Sequence, residues 1–276
     1  MTTLMRDAAI EPSPGAVALP LAGESVWLLP QRALWWPAAD TMFVADVHLG
    51  KAASFRALGQ PVPSGTTRDN LDRLSDLIDR FQAKRLVVLG DFLHAATAQQ
   101  SQVIEPATQW RARHADLVCV LVRGNHDSHA GDPPPSLRFE IVDEPHPLGP
   151  FLACHMPAHA AGGASIDVAG SGSTGFANDA SNASNASGGA SDGPAVRVRL
   201  AGHLHPAVWL RGPAADRLRL PCFCKTADQL ILPAFGAFTG STVSGLPADA
   251  RCYPIGGGRV HGPIASGGSG PRWRRG

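Results

Sequence analysis

The sequence lacks any bias of charge: 24 Lys and Arg stand against 23 Asp and Glu in 276 residues, leaving +1 at neutral pH. No global field therefore advertises nucleic acid or a membrane surface. The closing PRWRRG is a candidate basic patch, although short charged tails are ordinarily just solvated. Long apolar runs are missing too. No stretch reaches the roughly 18 apolar residues of a transmembrane helix, so no membrane partner is expected. The opening MTTLMRDAAIEPSPG carries an early acid and no apolar segment of signal-peptide length. Cysteine is scarce and odd in number, at five. Cys119 and Cys154 sit inside apolar runs, and Cys222 and Cys224 in PCFCK are two apart, a poor match to paired metal-thiolate spacing. They read as small hydrophobes in a reducing compartment, and the expected location is cytoplasmic. Also absent is a G-x-S-x-G elbow, which removes the Ser–His–Asp hydrolase reading.

What the chain does contain is strands alternating with helices. SVWLLP and RALWWP suit a hairpin that leads into TMFVADVHLG. In RDNLDRLSDLIDRFQA the residues Leu71, Leu74, Leu77, Ile78 and Phe81 fall on one helical stripe. KRLVVLGD is an apolar strand ending in Gly90 and Asp91. QQSQVIEPATQWRARH reads as helical, with Pro106 starting or kinking it. DLVCVLVRGNHD repeats the pattern of apolar strand, glycine and polar cluster. Such alternation implies right-handed crossovers and a sheet buried on both faces, with ligands at the carboxyl ends of its strands. From Leu137 the segments LRFEIVDE, GPFLACH, VRVRLAGH, AVWLRG, DRLRLPC and DQLILPAF predict a second sheet packed on the first. The domain reading is an arm over 1–24, a single domain over 25–254 and a flexible tail over 255–276. Within the domain, the Gly/Ala/Ser/Asn composition of about 158–194 predicts a disordered insertion.

The strand ends carry Asp46 and His48 (D-x-H), Asp91 (G-D), Asn125, His126 and Asp127 (G-N-H-D), His155 after FLAC, and His203 and His205 (G-H-x-H). Side chains two apart project to one side of an extended strand, so Asp46 and His48 are read as aiming at a common point. Individually Asp46, Asp91 and Asn125 could be turn or cap residues; five clusters in order are another matter. Carboxylates, imidazoles and one amide carbonyl form a mixed N/O set without thiolate, suited to Mn²⁺ or Fe²⁺ ahead of Zn²⁺. It is too large for one catalytic ion that keeps an open position. Two ions about 3.5–4 Å apart can share it, because a carboxylate bridges readily.

The series resembles the calcineurin-like metallophosphoesterases. FVADVHLGKAASFRALGQPVPSGTTRDNL, RLVVLGDFLHA, LVRGNHD, LAGHLHPAV and LILPAFGAFTG are similar to the bacterial branch of ligase-associated DNA damage response endonucleases. The likeness runs from about Met42 to Gly240, excluding the insertion. It implies a four-layer α/β/β/α fold, a two-sheet β-sandwich flanked by helices, and a binuclear centre of two divalent ions, Mn²⁺ first with Fe²⁺ or Zn²⁺ as alternatives. By the same resemblance Asp46, His48 and His205 hold one ion, Asp91 bridges, and Asn125, His155 and His203 hold the other. His126 is not a ligand but stands beside the phosphate. The implied reaction is hydrolysis of a phosphoester, with DNA as substrate, by a water activated between the ions. A DNA ligase or helicase is the implied repair partner.

Arg123 is a candidate grip for a phosphate oxygen, since a planar guanidinium matches that geometry. The chain departs from the family at His94, where many members carry an Asp that orients the catalytic His. Either Asp127 or a backbone carbonyl must then orient His126, or His94 itself contacts substrate. Lys51 and Arg56 divide between phosphate-facing groups and solvated loop charges. Trp35 and Trp36 could be a stacking platform for bases but read better as core. Two other functions stay open on this fold: a phosphatase of small phosphomonoesters or nucleotides, and a non-catalytic scaffold.

Overall fold

The structure, a computed structural model, describes residues 14–62, 65–158, 197–211 and 217–266. In the first sheet β1 (Val17–Leu21), β2 (Glu24–Leu29), β3 (Ala33–Trp36) and β4 (Thr41–Val44) meander antiparallel. The parallel strands β5 (Arg85–Leu89), β6 (Val118–Val122) and β7 (Phe139–Val142) then extend it in chain order. Four helices accompany this sheet: α1 (Lys51–Ala57), α2 (Thr66–Phe81), α3 (Ser101–Arg113) and α4 (Asn125–Ala130).

The second sheet contains β8 (His146–Leu148), β9 (Phe151–Ala153), β10 (Val198–Ala201), β11 (Ala207–Arg211), β12 (Arg217–Lys225), β13 (Gln229–Ile231), β14 (Arg251–Gly256), β15 (Arg259–Val260) and β16 (Ile264–Ala265). Its order is β15-β14-β12-β13-β10-β9-β8, with β11 on β12 and β16 on β14. The whole is a two-sheet α/β sandwich. Among the described residues the helices pack on the first sheet only. The far face of the second sheet holds a small cluster of Val208, Leu210, Cys222, Cys224, Ile231 and Cys252.

The side-chain alternation of the central strands explains the layering. Met42 and Val44 of β4, with Leu86 and Val88 of β5, face α2 and α3. Phe43 and Ala45, with Val87 and Leu89, face the second sheet and meet Phe151, Leu200 and Phe223. Both faces are apolar because both are covered. The α2 stripe of Leu71, Leu74, Leu77, Ile78 and Phe81 is buried against the helix-side face. Pro106 neither starts nor ends α3 but lies within it, on its second turn. Trp35 and Trp36 are buried, which removes them as a platform for bases.

Three expectations need correction. Phe139–Val142 joins the first sheet, because it pairs parallel with β6 instead of opening the second. The arm expected through residue 24 is shorter, since Val17–Leu21 is a paired strand that buries Leu19 and Leu21. The tail expected from 255 is structured at least to residue 266: Ile255 and Val260 are buried between the sheets, and Ile264 pairs with Cys252. Glycine-rich composition hid short strands in which Ile255 and Val260 point inward. Replacing Ile255 with Ala should lower the unfolding free energy by about 2–5 kcal/mol in a denaturant titration; a loosely held tail residue would cost almost nothing. The expected insertion lies, beyond Ala158, outside the described residues.

Candidate metal centre

Every candidate ligand sits just past the carboxyl end of a strand. Asp46 and His48 follow β4, Asp91 follows β5, Asn125 follows β6, His155 follows β9, and His203 and His205 follow β10. The strand ends are tied together: Asp46 N–H donates to Gly90 O (3.2 Å) and His48 N–H to Asp91 O (2.9 Å). The two sheets meet here through a bridge between Ala45 and Ala234.

Asp46 and His48 do not converge by strand alternation. Both have left the strand and hold left-handed backbone, at φ 54° and 50°. Asp91, His203 and His205 do the same at φ 54°, 68° and 47°. Non-glycine residues at positive φ carry strain that the surrounding structure must offset. Five such residues in one place identify a site where side-chain direction outweighs backbone preference.

Two triads result. The ligand atoms of Asp46, His48 and His205 lie within 4.8 Å of one another, as do those of Asp91, His155 and His203. Asp91 stands between them, with Oδ2 3.8 Å from His48 Nε2 and Oδ1 3.6 Å from His155 Nε2. Asn125 Oδ1 is 2.8 Å from His155 Nε2. Asp46, Asp91, His48 and His155 are buried.

The charges and lone pairs here fit cations. His155 Nδ1 is held at 3.1 Å by the Leu89 carbonyl and His205 Nδ1 at 3.0 Å by the Gly240 carbonyl. A carbonyl contact requires the proton on Nδ1, which leaves Nε2 with a bare lone pair. The two bare nitrogens face acceptor oxygens, Asp46 Oδ1 at 3.5 Å from His205 and the Asn125 and Asp91 oxygens at 2.8 and 3.6 Å from His155, with the ring nitrogens of His48 (3.4 Å) and His203 (3.1 Å) also close. Asp46 Oδ1 is buried with no hydrogen-bond partner among the described residues. Acceptors converging on acceptors repel unless positive charge lies among them, and ligands about 2.1 Å from one ion would be spaced roughly 3.0–3.4 Å apart. Burial also pushes the His48 and His203 imidazoles below their ordinary range, with Lys51 the next cause at His48 and His155 at His203. Neutral imidazole is the ligating form. Burial pushes the Asp91 carboxyl up, opposed by His155.

His126 stands at the rim. Its backbone N–H donates to Asp91 Oδ1 (2.9 Å), and its Nδ1 is 2.8 Å from the carbonyl of His94. That carbonyl orients the ring, and Asp127 does not. Asp127 is buried, with Oδ1 accepting the Leu93 N–H (3.0 Å) and Oδ2 the Gly124 N–H (3.1 Å), so it clamps two strand-end loops together. Burial raises its carboxyl to about 6. The His94 ring stacks on His126 at 4.9 Å between centroids, and burial first, then Lys51, lowers it to about 4. Lys51 is itself half-buried, its ammonium opposed by burial and favoured by Asp46 and Asp91.

Arg123 is a correction. Its guanidinium forks onto Asp132 (3.0 and 3.0 Å) and reaches Asp143 (3.1 Å), so its donors are spent on surface carboxylates. Arg123→Ala should leave metal content and turnover of a small phosphodiester unchanged; a steep rise in KM would return it to the site.

Several contributors had no motif to reveal them. The Leu89, His94 and Gly240 carbonyls are backbone, and Glu144 caps the His155 and Met156 N–H groups from eleven residues upstream (2.6 and 2.8 Å). Gly124 left a trace, as the glycine before N-H-D: a Cβ there would lie 2.3 Å from Asp91 Oδ1.

Residues 40–178 match the calcineurin-like phosphoesterase family. No curated protein matches the chain. Among solved structures it is similar to the nuclease MPE of Pseudomonas putida, at 36% identity and a TM-score of 0.66, over 90% of this chain and 100% of that one.

Proposed function

The chain belongs to the calcineurin-like phosphoesterase family, and we propose that within it this protein is a metal-dependent nuclease that cleaves phosphodiester bonds in DNA. The observation that carries the reading is the pair of triads with Asp91 between them, 3.8 Å from His48 and 3.6 Å from His155. The structural likeness to a nuclease supports the diester substrate, and the resemblance to the damage-response branch supports a place in repair beside a ligase or helicase.

Asp46, His48 and His205 would hold one divalent ion, and Asn125, His155 and His203 the other, with Asp91 shared. When bound, such a pair supplies an acidified water as nucleophile and neutralises charge on the phosphate oxygens. The N/O donor set favours Mn²⁺. The rest falls to the protein. Leu89 and Gly240 hold the tautomers of His155 and His205 that keep Nε2 available. His126, fixed by the His94 carbonyl, presents its other nitrogen to the leaving oxygen as proton donor. The left-handed turns hold these side chains in place before substrate arrives, so little reorganisation is left for the reaction itself.

The test compares single-stranded DNA, bis(p-nitrophenyl) phosphate and p-nitrophenyl phosphate in Mn²⁺, alongside metal content per chain. Two ions and hydrolysis of the two diesters are expected. Preference for the monoester would replace the nuclease with a phosphatase. Inactivity on all three, with tight binding of a repair protein, would favour a scaffold.

A further inference from the structure

Arg32, Arg73, Gln31 and Pro221 help to line a cavity of about 490 Å³ with no Asp or Glu in its wall. A smaller cavity joins Arg32 to His205, Thr239 and Gly240. Arg32 lies on the wall of both. It is therefore the link between the metal-centre rim and the larger cavity.

Neither guanidinium is locked onto a carboxylate, although Asp69, one helical turn before Arg73, favours its charge. Arg32 donates to the Ala234 carbonyl (3.3 Å), and Arg73 donates to the Phe235 carbonyl while lying 4.0 Å over the Phe235 ring. Neither forms an ion pair with a carboxylate among the described residues. Arg73 Nε is buried without a hydrogen-bond partner. Each guanidinium offers five N–H donors, and these contacts use few of them. Two like charges side by side and half-buried are costly unless an anion joins them. The cost shows at Arg73, which burial, and then Arg32, lowers to about 10 in spite of Asp69.

We infer that Arg32 and Arg73 form a subsite for a second phosphate, one that flanks the scissile phosphodiester of a polynucleotide strand. This rests on the nuclease reading and deepens it. A planar guanidinium matches phosphate bidentately, and the cavities link that pair to the rim where the scissile group would sit. A small diester, having one phosphate, could not use the subsite. It also reconciles a strand-binding role with a net charge of only +1, because the positive potential is local.

The test uses the full chain, Arg32→Gln, Arg73→Gln and Arg73→Lys. Binding of fluorescein-labelled single-stranded DNA is read by anisotropy in EDTA, and kcat/KM on DNA and on bis(p-nitrophenyl) phosphate is read in Mn²⁺. Each Gln variant should weaken binding by about 10-fold or more, as expected for a lost charged hydrogen bond. The slope of log K against log salt should fall by about 0.7 per lost contact. Loss of kcat/KM should be at least tenfold greater on DNA than on the small diester. Arg73→Lys, which keeps the charge, should bind more tightly than Arg73→Gln. If Arg73→Gln does not fold, Arg32→Gln and Arg73→Lys carry the same comparison. Equal losses on both substrates would mean that the arginines only support the 234–235 loop, and unchanged DNA binding would reject the subsite outright. A wild-type protein that hydrolyses the small diester but not DNA would sink the nuclease reading and the subsite together. Active wild type with indifferent variants would sink the subsite alone.

Discussion

Asp91→Asn should abolish metal-dependent hydrolysis and reduce the metal content of the purified protein. The carboxylate lies between the two triads, so one substitution removes charge from both. An amide has about the same shape but presents one acceptor and one donor where two acceptors are needed. Its nitrogen would point an N–H at either His48 or His155, the nitrogens that must stay free. Replacing an outer partner of a ligand costs about 10–100-fold in affinity or activity, and loss of a shared ligand should exceed that range. Turnover and metal stoichiometry close to wild type would reject the shared-carboxylate arrangement. The Asp91 carboxylate also accepts the His126 N–H, so the variant should disturb the rim as well, an effect visible as altered histidine resonances.

His126→Ala is the second large effect, and it separates chemistry from assembly. His126 belongs to neither carboxylate-bearing triad, although it lies with His94 beside His48, and metal content should hold at the wild-type value. kcat on a diester should fall by about 10²–10⁴-fold, the ordinary range for a general acid or base, with a much smaller change in KM. A leaving group that needs no proton is a sharper probe. With p-nitrophenolate departing, the loss should be smaller than with a deoxyribose oxygen, because the phenolate leaves unaided. Equal losses on both leaving groups would assign His126 to phosphate binding and not to proton transfer.

The sequence was most legible where periodicity and chemistry coincide. β5 and β6 announce themselves as apolar runs that end in glycine and a polar cluster. The α2 stripe predicted its buried face residue by residue. The ligand candidates stood out because Asp, His and Asn are poor choices for the end of a buried strand unless something compensates them. Alternation along a strand is nevertheless not what aims Asp46 and His48 at one point. Strand alternation would align them, whereas the structure aligns them by two left-handed residues, which local sequence does not encode. Arg123 illustrates the converse limit. Its place beside G-N-H-D suggested the site, but Asp132 and Asp143 claim it from nine and twenty residues away. Arg32 and Arg73 show the same blindness from the other side. They lie on a hairpin turn and a helix and meet only because both reach the 234–235 loop. Phe139–Val142 pairs with β6 without any signal in its sequence, because a short, half-buried strand carries no mark of which sheet it will join.

The division of the centre between the sheets has a mechanical consequence. Asp46, His48, Asp91 and Asn125 come from one layer, and His155, His203 and His205 from the other. Ions held by both sets would act as a rivet through the open lip of the sandwich, where apolar packing is replaced by polar groups. Whatever withdraws them would loosen that lip first and leave the greasy seam deeper in the protein shut.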